Sequence, residues 1–254
     1  MKDRTHTVGL RAKLILSVLL VCGIASADTI IASGVDWSRG GSIAINENGS
    51  DINAYFAGVI YIQVSTGGQL FNRDSLCVDL FTDIYLGVTY DTTLLRPDQV
   101  PGKNLARVSW LVDNALLPTQ DNSYGSALDP ADWVRTSAQG AGIQLAIWDI
   151  VHDAGDGFSN GTVQAANSAG YVTDPTVLFW ANTYETVSLG KQSDLAYIYQ
   201  NVAQDANHTP AQMLAGPRFQ DNGPAPIPEP ATLSLAAAAL AAGGWYARRK
   251  SRAK

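Results

Sequence analysis

Near residue 104 the spacing of apolar residues changes from two to three or four, and that change divides the chain into a sheet-forming half and a helix-forming half. Upstream, GSIAIN (41–46), AYFAGVIYIQV (54–64) and SLCVDLFTDIYLGVTY (75–90) are rich in β-branched and aromatic residues, with NENGSD and STGGQLFNRD between them. These segments read as strands of an antiparallel sheet joined by hairpin turns. Downstream, NLARVSWLVDNALL (104–117) sets Leu105, Val108, Leu111, Val112 and Ala115 on one helical stripe. A second helix is expected from about 133 to 152, with Ile143, Ile147, Ile150 and Val151 turned inward. Asp174 and Pro175 read as the cap and first turn of a third, and SDLAYIYQNVAQ (193–204) reads as a fourth. Strands followed by helices give an α+β body over residues 28–204. From 205 to 226 the chain turns polar and rich in Pro, Gly and Ala, the composition of a linker.

Both ends stand apart from that body. Lys2, Arg4, Arg11 and Lys13 precede the apolar run 14–24, and small residues close at Ala27, so residues 1–27 describe a secretory signal peptide. At the other end Pro228, Glu229 and Pro230 lead into an apolar stretch, 231–247, followed by Arg248, Arg249, Lys250 and Arg252. A run of about 17 apolar residues is the shortest that spans a bilayer as a helix, and the basic cluster keeps its end cytoplasmic. Together these parts, residues 227–254, resemble the PEP-CTERM sorting tail of Gram-negative bacteria that make extracellular polysaccharide. The resemblance implies an exosortase as partner, a membrane cysteine transpeptidase that cuts near the motif. It also implies a precursor held transiently in the inner membrane, then a place at the cell surface or in the extracellular matrix.

Charge and cysteine use narrow the partners. Residues 28–226 hold 21 acidic and eight basic residues, a net of about −13, which argues against nucleic acid or anionic lipid as partner. Only Lys103 and Lys191 remain there as lysines. Cys22 leaves with the leader, so Cys77 has no intramolecular disulfide partner in an oxidising compartment. No motif implies a cofactor.

Gln144 interrupts the apolar run GIQLAIWDI (142–150). On a helix it shares a face with Trp148, bordering the buried Ile143 and Ile147 stripe. An amide in that position ties a neighbouring loop by hydrogen bonds, or it reacts. The reactive alternative joins it to Cys77: the thiol attacks the side-chain amide, ammonia leaves, and an internal thioester remains. A free thiol ionises only near pH 8.5, so positioning has to supply the rate, and a rigid pair can reach effective molarities of roughly 10⁵ to 10⁸ M. Trp148 would shield the product from water.

Leu76-Cys77-Val78 and Gln144-Leu145-Ala146-Ile147-Trp148 resemble the two motifs of the thioester domains of Gram-positive surface adhesins. The resemblance covers about residues 70 to 205. It implies a Cys–Gln bond that a nucleophile on a surface partner opens to leave a covalent link. Ile143 stands where that family usually has Thr, and Leu76 where it has Tyr.

Three other arrangements compete. Cys77 with His152 and Asp149 or Asp153 has the residue types of a cysteine hydrolase. Asp153, Asp156 and Asn160, in the turn-rich HDAGDGFSNG, are candidate calcium ligands off the EF-hand spacing. Trp37, Trp133, Tyr171 and Trp180 are candidates for a glycan groove. The expectation is a non-enzymatic surface or matrix protein using Cys77 and Gln144 as a crosslink. Extracellular polysaccharide or an amine-bearing surface molecule is the expected partner. A non-reactive structural or glycan-binding protein is the first alternative and a cysteine hydrolase the second.

Overall fold

Six strands close on themselves into a ring. The computed structural model of the chain describes residues 28–47, 49–116, 128, 130–159, 161–166, 173–203 and 211–218. β1 (Thr29–Glu47) runs antiparallel to β2 (Ser50–Thr66), and β2 to β3 (Gln69–Cys77). β4 (Thr89–Leu95) pairs with the start of β1, and a short β5 (Val163–Gln164) clips its far end. β6 (Ala196–Ala203) pairs with β4, and β7 (Leu214–Pro217) lies between β6 and β3 and completes the ring. Closure satisfies edges that an open sheet would leave as templates for aggregation. Three irregularities in the β1–β2 register let the long first strand bend enough to serve both neighbours.

Three α-helices cover the ring: α1 (Leu105–Ala115), α2 (Ser137–Asp153) and α3 (Pro175–Ser188). α1 buries the predicted stripe, Leu105, Val108, Leu111, Val112 and Ala115. α2 is buried on every side from Gln139 to Ile150. One of its faces, Ala141, Leu145 and Trp148, packs with Ile30, Ile62, Cys77 and Tyr199 from the strands. The opposite face, Ile143, Ala146, Ile147 and Ile150, packs with the stripe of α1 and Tyr184 of α3. A helix apolar all round is a core helix, and this one separates the two cores.

Two glycines allow α2 to sit so deep. A Cβ on Gly140 would fall 1.8 Å from the Arg39 carbonyl oxygen, and one on Gly142 would fall 2.6 Å from Cβ of Trp180. The helix starts with a reciprocal cap, in which Thr136 Oγ1 accepts from Gln139 N at 3.3 Å and Gln139 Oε1 accepts from Thr136 N at 3.1 Å. At α3 the expected device is present: Asp174 Oδ1 accepts from Thr176 N at 2.7 Å, with Pro175 in the first turn.

The α+β class holds, but the order of strands and helices differs from expectation. Residues 193–203 of the expected helix 193–204 are not helical. Ala196, Ile198 and Tyr199 are buried within strand β6, where aromatic and β-branched side chains find two neighbouring strands to pair with. The segment 75–90 is not one strand, because β3 ends at Cys77 and β4 begins at Thr89. β1 begins at Thr29, well before the first expected strand, and β7 falls inside the stretch that composition marks as linker. The sheet therefore draws on both ends of the body. The signal peptide, the apolar run 231–247 and the motif around Pro228 lie outside the described residues. Among the described residues no helix is long and apolar enough to cross a membrane.

Candidate functional site

Cys77 closes β3, opposite Leu214 of β7, and is buried. Gln144 comes to it from α2 and is wholly buried. The two meet through the main chain of the cysteine: Cys77 N donates to Gln144 Oε1 at 2.8 Å, and Gln144 Nε2 donates to Cys77 O at 2.7 Å. The carboxamide thus pairs as a strand residue would, satisfying a donor and an acceptor that burial would otherwise leave unpaired.

The sulfur points at a different glutamine. Cys77 Sγ donates to Gln212 Oε1 at 2.9 Å. The carboxamide carbon of Gln212 is no more than one C=O length, about 1.2 Å, farther from the sulfur than that oxygen. Gln212 is buried and held from several directions. Its Nε2 donates to Asp79 O at 2.8 Å, its backbone N to Asp83 O at 3.1 Å, and its backbone O accepts from Asn201 Nδ2 at 2.7 Å. Asn201 is fixed in turn by Thr92, whose Oγ1 donates to Asn201 Oδ1 at 2.7 Å.

Asp79 organises the surroundings. Its Oδ2 accepts from Met213 N at 3.0 Å and its Oδ1 pairs with Lys103 Nζ at 2.7 Å. Val78 N donates to Met213 O at 2.9 Å, which fixes the chain after Cys77 against the chain after Gln212. Burial pushes the Cys77 thiol far up, and the carboxylates of Asp79 and Asp83 add to the rise, so the sulfur carries its proton. Trp148, 3 % exposed, belongs to the same apolar cluster as Cys77.

The other expected residues fall elsewhere. His152 Nδ1 lies 3.2 Å from Glu47 Oε1, and its ring meets Phe81 edge-on at 5.9 Å. Burial lowers its pKa, as does Lys103. Among the described residues no hydrogen bond joins His152 to Cys77, and Asp149 and Asp153 serve other partners. Trp37 meets Phe56 at 5.1 Å, Trp133 lies under Arg135, and Trp180 meets Tyr184 at 6.0 Å. No ring contact joins any two of Trp37, Trp133 and Trp180 among the described residues, and Tyr171 is outside them. Asn160 is also outside the described residues. Carboxylate oxygens of Asp153, Asp156 and Asp149 lie within 4.8 Å of one another.

Gln212 and Asp79 went unread in the sequence. The available signal was a single glutamine ahead of Met213, Leu214 and Ala215, the one apolar run in a stretch otherwise polar and Pro-rich.

Residues 226–250 match the PEP-CTERM protein-sorting motif, which takes in Pro228, Glu229, Pro230, Arg248, Arg249 and Lys250. No curated protein and no solved structure matches the chain, and the resemblance of the body to thioester domains has no counterpart among the matches. The chain therefore carries a PEP-CTERM protein-sorting motif at residues 226–250, the tail on which an exosortase-sorted, exported protein is recognised.

Proposed function

We propose that the body is a non-enzymatic surface or matrix module that closes an internal thioester between Cys77 and Gln212, with Gln144 as the residue that fixes the cysteine backbone. The observation that carries this reading is the 2.9 Å contact from Cys77 Sγ to Gln212 Oε1 inside a dry pocket. In the closing step the Sγ–Cδ bond forms and the Cδ–Nε2 bond of Gln212 breaks. The thiol proton passes to the nitrogen, which leaves as ammonia. Asp79 O already accepts from that nitrogen, and the S–H directed at Oε1 polarises the carbonyl under attack. Trp148 and the surrounding apolar side chains keep water from the product.

An amine or hydroxyl on a surface partner then attacks Cδ, forms an amide or ester, and returns the thiol to Cys77. That step leaves the partner covalently attached, a fitting end for a protein whose tail delivers it outside the cell. The scarcity of lysine in the body agrees with it, since Lys103, the nearest amine, is engaged by Asp79.

The intact mass of the purified protein tests the closing step. The reading expects a deficit of one ammonia that vanishes in Cys77→Ala and Gln212→Ala and returns as an added amine when the wild type is incubated with methylamine. Full mass, with Cys77 alkylated once the protein is unfolded, sinks it. That result would favour the second reading, an unreactive matrix protein, which the strongly raised thiol pKa supports.

A further inference from the structure

The geometry points to a calcium site at the C-terminal end of α2, formed by Asp149, Asp153 and Asp156 and walled by Glu185 of α3. One carboxylate oxygen from each aspartate lies within 4.8 Å of the others. Ligands on opposite sides of a calcium ion at about 2.4 Å are about 4.8 Å apart, so the three oxygens fit around one such ion.

Acidic groups gather on surfaces without binding metal, and what distinguishes this set is two buried carboxyls, Asp149 and Glu185, that face each other with one oxygen of each reached by no N–H or hydroxyl among the described residues. Asp149 is 0 % exposed, yet its Oδ1 meets no hydrogen-bond donor among the described residues. Its Oδ2 takes a long bond, 3.3 Å, from Gly157 N, and its carboxyl also faces that of Glu185. Glu185 comes from a separate helix, is 8 % exposed, and leaves Oε1 equally without a donor. Its carboxyl lies against that of Asp149 and feels the charge of Asp156.

No ion pair among the described residues neutralises these four acids. The nearest cation, Arg107, instead spends its donors on the carbonyls of Ala154 and Glu185 and on Ser188 Oγ. Buried carboxyls in that position need a proton or a cation between them. An all-oxygen set of carboxylates selects a hard divalent ion, and oxygens up to 4.8 Å apart suit the longer bonds of calcium better than the short octahedron of magnesium. Calcium bound there ties the end of α2 to α3, and because Asp149 lies on the helix that carries Gln144, it steadies the support of Cys77. The proposal does not depend on the thioester.

The test is thermal unfolding and titration calorimetry of the full-length, chelator-treated protein with CaCl₂, MgCl₂ or NaCl at matched ionic strength. Millimolar CaCl₂ should raise Tm by about 5 °C, and MgCl₂ much less. Asp156→Asn, at an exposed position, should fold normally and bind calcium at least tenfold more weakly. Asp149→Asn should abolish binding, and if it fails to fold, Asp156→Asn decides alone. No calcium-specific rise in the wild type, an equal rise with magnesium, or an unchanged affinity in Asp156→Asn overturns the site.

Discussion

Gln144 grips Cys77 by its peptide groups and leaves the sulfur to Gln212. The two glutamines thus divide the work, one positioning the cysteine and the other facing its thiol.

That division gives opposite outcomes for two similar variants. Gln144→Ala strands a buried N–H and a buried C=O and should cost about 3 kcal/mol, a fall in Tm on the order of 10 °C. Gln212→Ala removes a side chain at the ring margin and should cost less while abolishing any ammonia deficit. Calorimetry paired with intact mass reads both effects. A deficit that survives in Gln212→Ala and disappears in a folded Gln144 variant would return the chemistry to Gln144.

Native Cys77 should resist iodoacetamide between pH 7 and 9, because burial keeps the thiol protonated. The unfolded thiol ionises near its ordinary value of 9.0, while the folded one holds its proton to much higher pH. The folded state therefore binds the extra proton, and stability falls as pH rises above about 9. Urea midpoints at pH 8 and 10 for wild type and Cys77→Ala measure it, and the alanine variant should show the smaller decline if the thiol is free.

Asp113 gives a second pH dependence at lower pH. Burial raises its pKa from 3.8 to about 7, and its Oδ1 has no hydrogen-bond partner among the described residues. The folded protein keeps the proton up to about pH 7, whereas the unfolded chain releases it near 3.8. Its contribution is complete below pH 3.8 and is lost as pH climbs toward 7. Asp113→Asn cannot ionise, so it should match the wild type at pH 5 more closely than at pH 8, where it should be the more stable by at least ~1 kcal/mol. Chemical denaturation at both pH values checks this.

Ala154 ends α2 with φ of 62°, in the left-handed region, and donates its N–H to Asp149 O. A Cβ is a liability there, so Ala154→Gly should stabilise by about 1 kcal/mol, seen as a rise of a few degrees in Tm.

Much of this was legible in the sequence. The stripe on α1 and the cap at Asp174 follow from spacing and residue type, because those features are local or periodic; Gln144 does reach Cys77, but at its peptide groups and not at the expected sulfur. The residues 196–199 misled because a short apolar run fits a buried helix or a strand equally, and only the partners β4 and β7 decide. Gln212 was hidden for a related reason. The contact joining β7 to Cys77 spans more than a hundred residues, and nothing within its own Pro-rich neighbourhood announces it. Asp149 was read only as a partner for His152, since its lack of a hydrogen donor is a property of the packed helices α2 and α3.

β7 is the last described strand before the sorting tail, and it is hydrogen-bonded on both sides. A pull applied to the chain after Pro217 would meet two rows of bonds that resist it together. With Gln212 just upstream, a closed crosslink to Cys77 would pass the tension covalently to β3, so the segments between would be spared from unravelling.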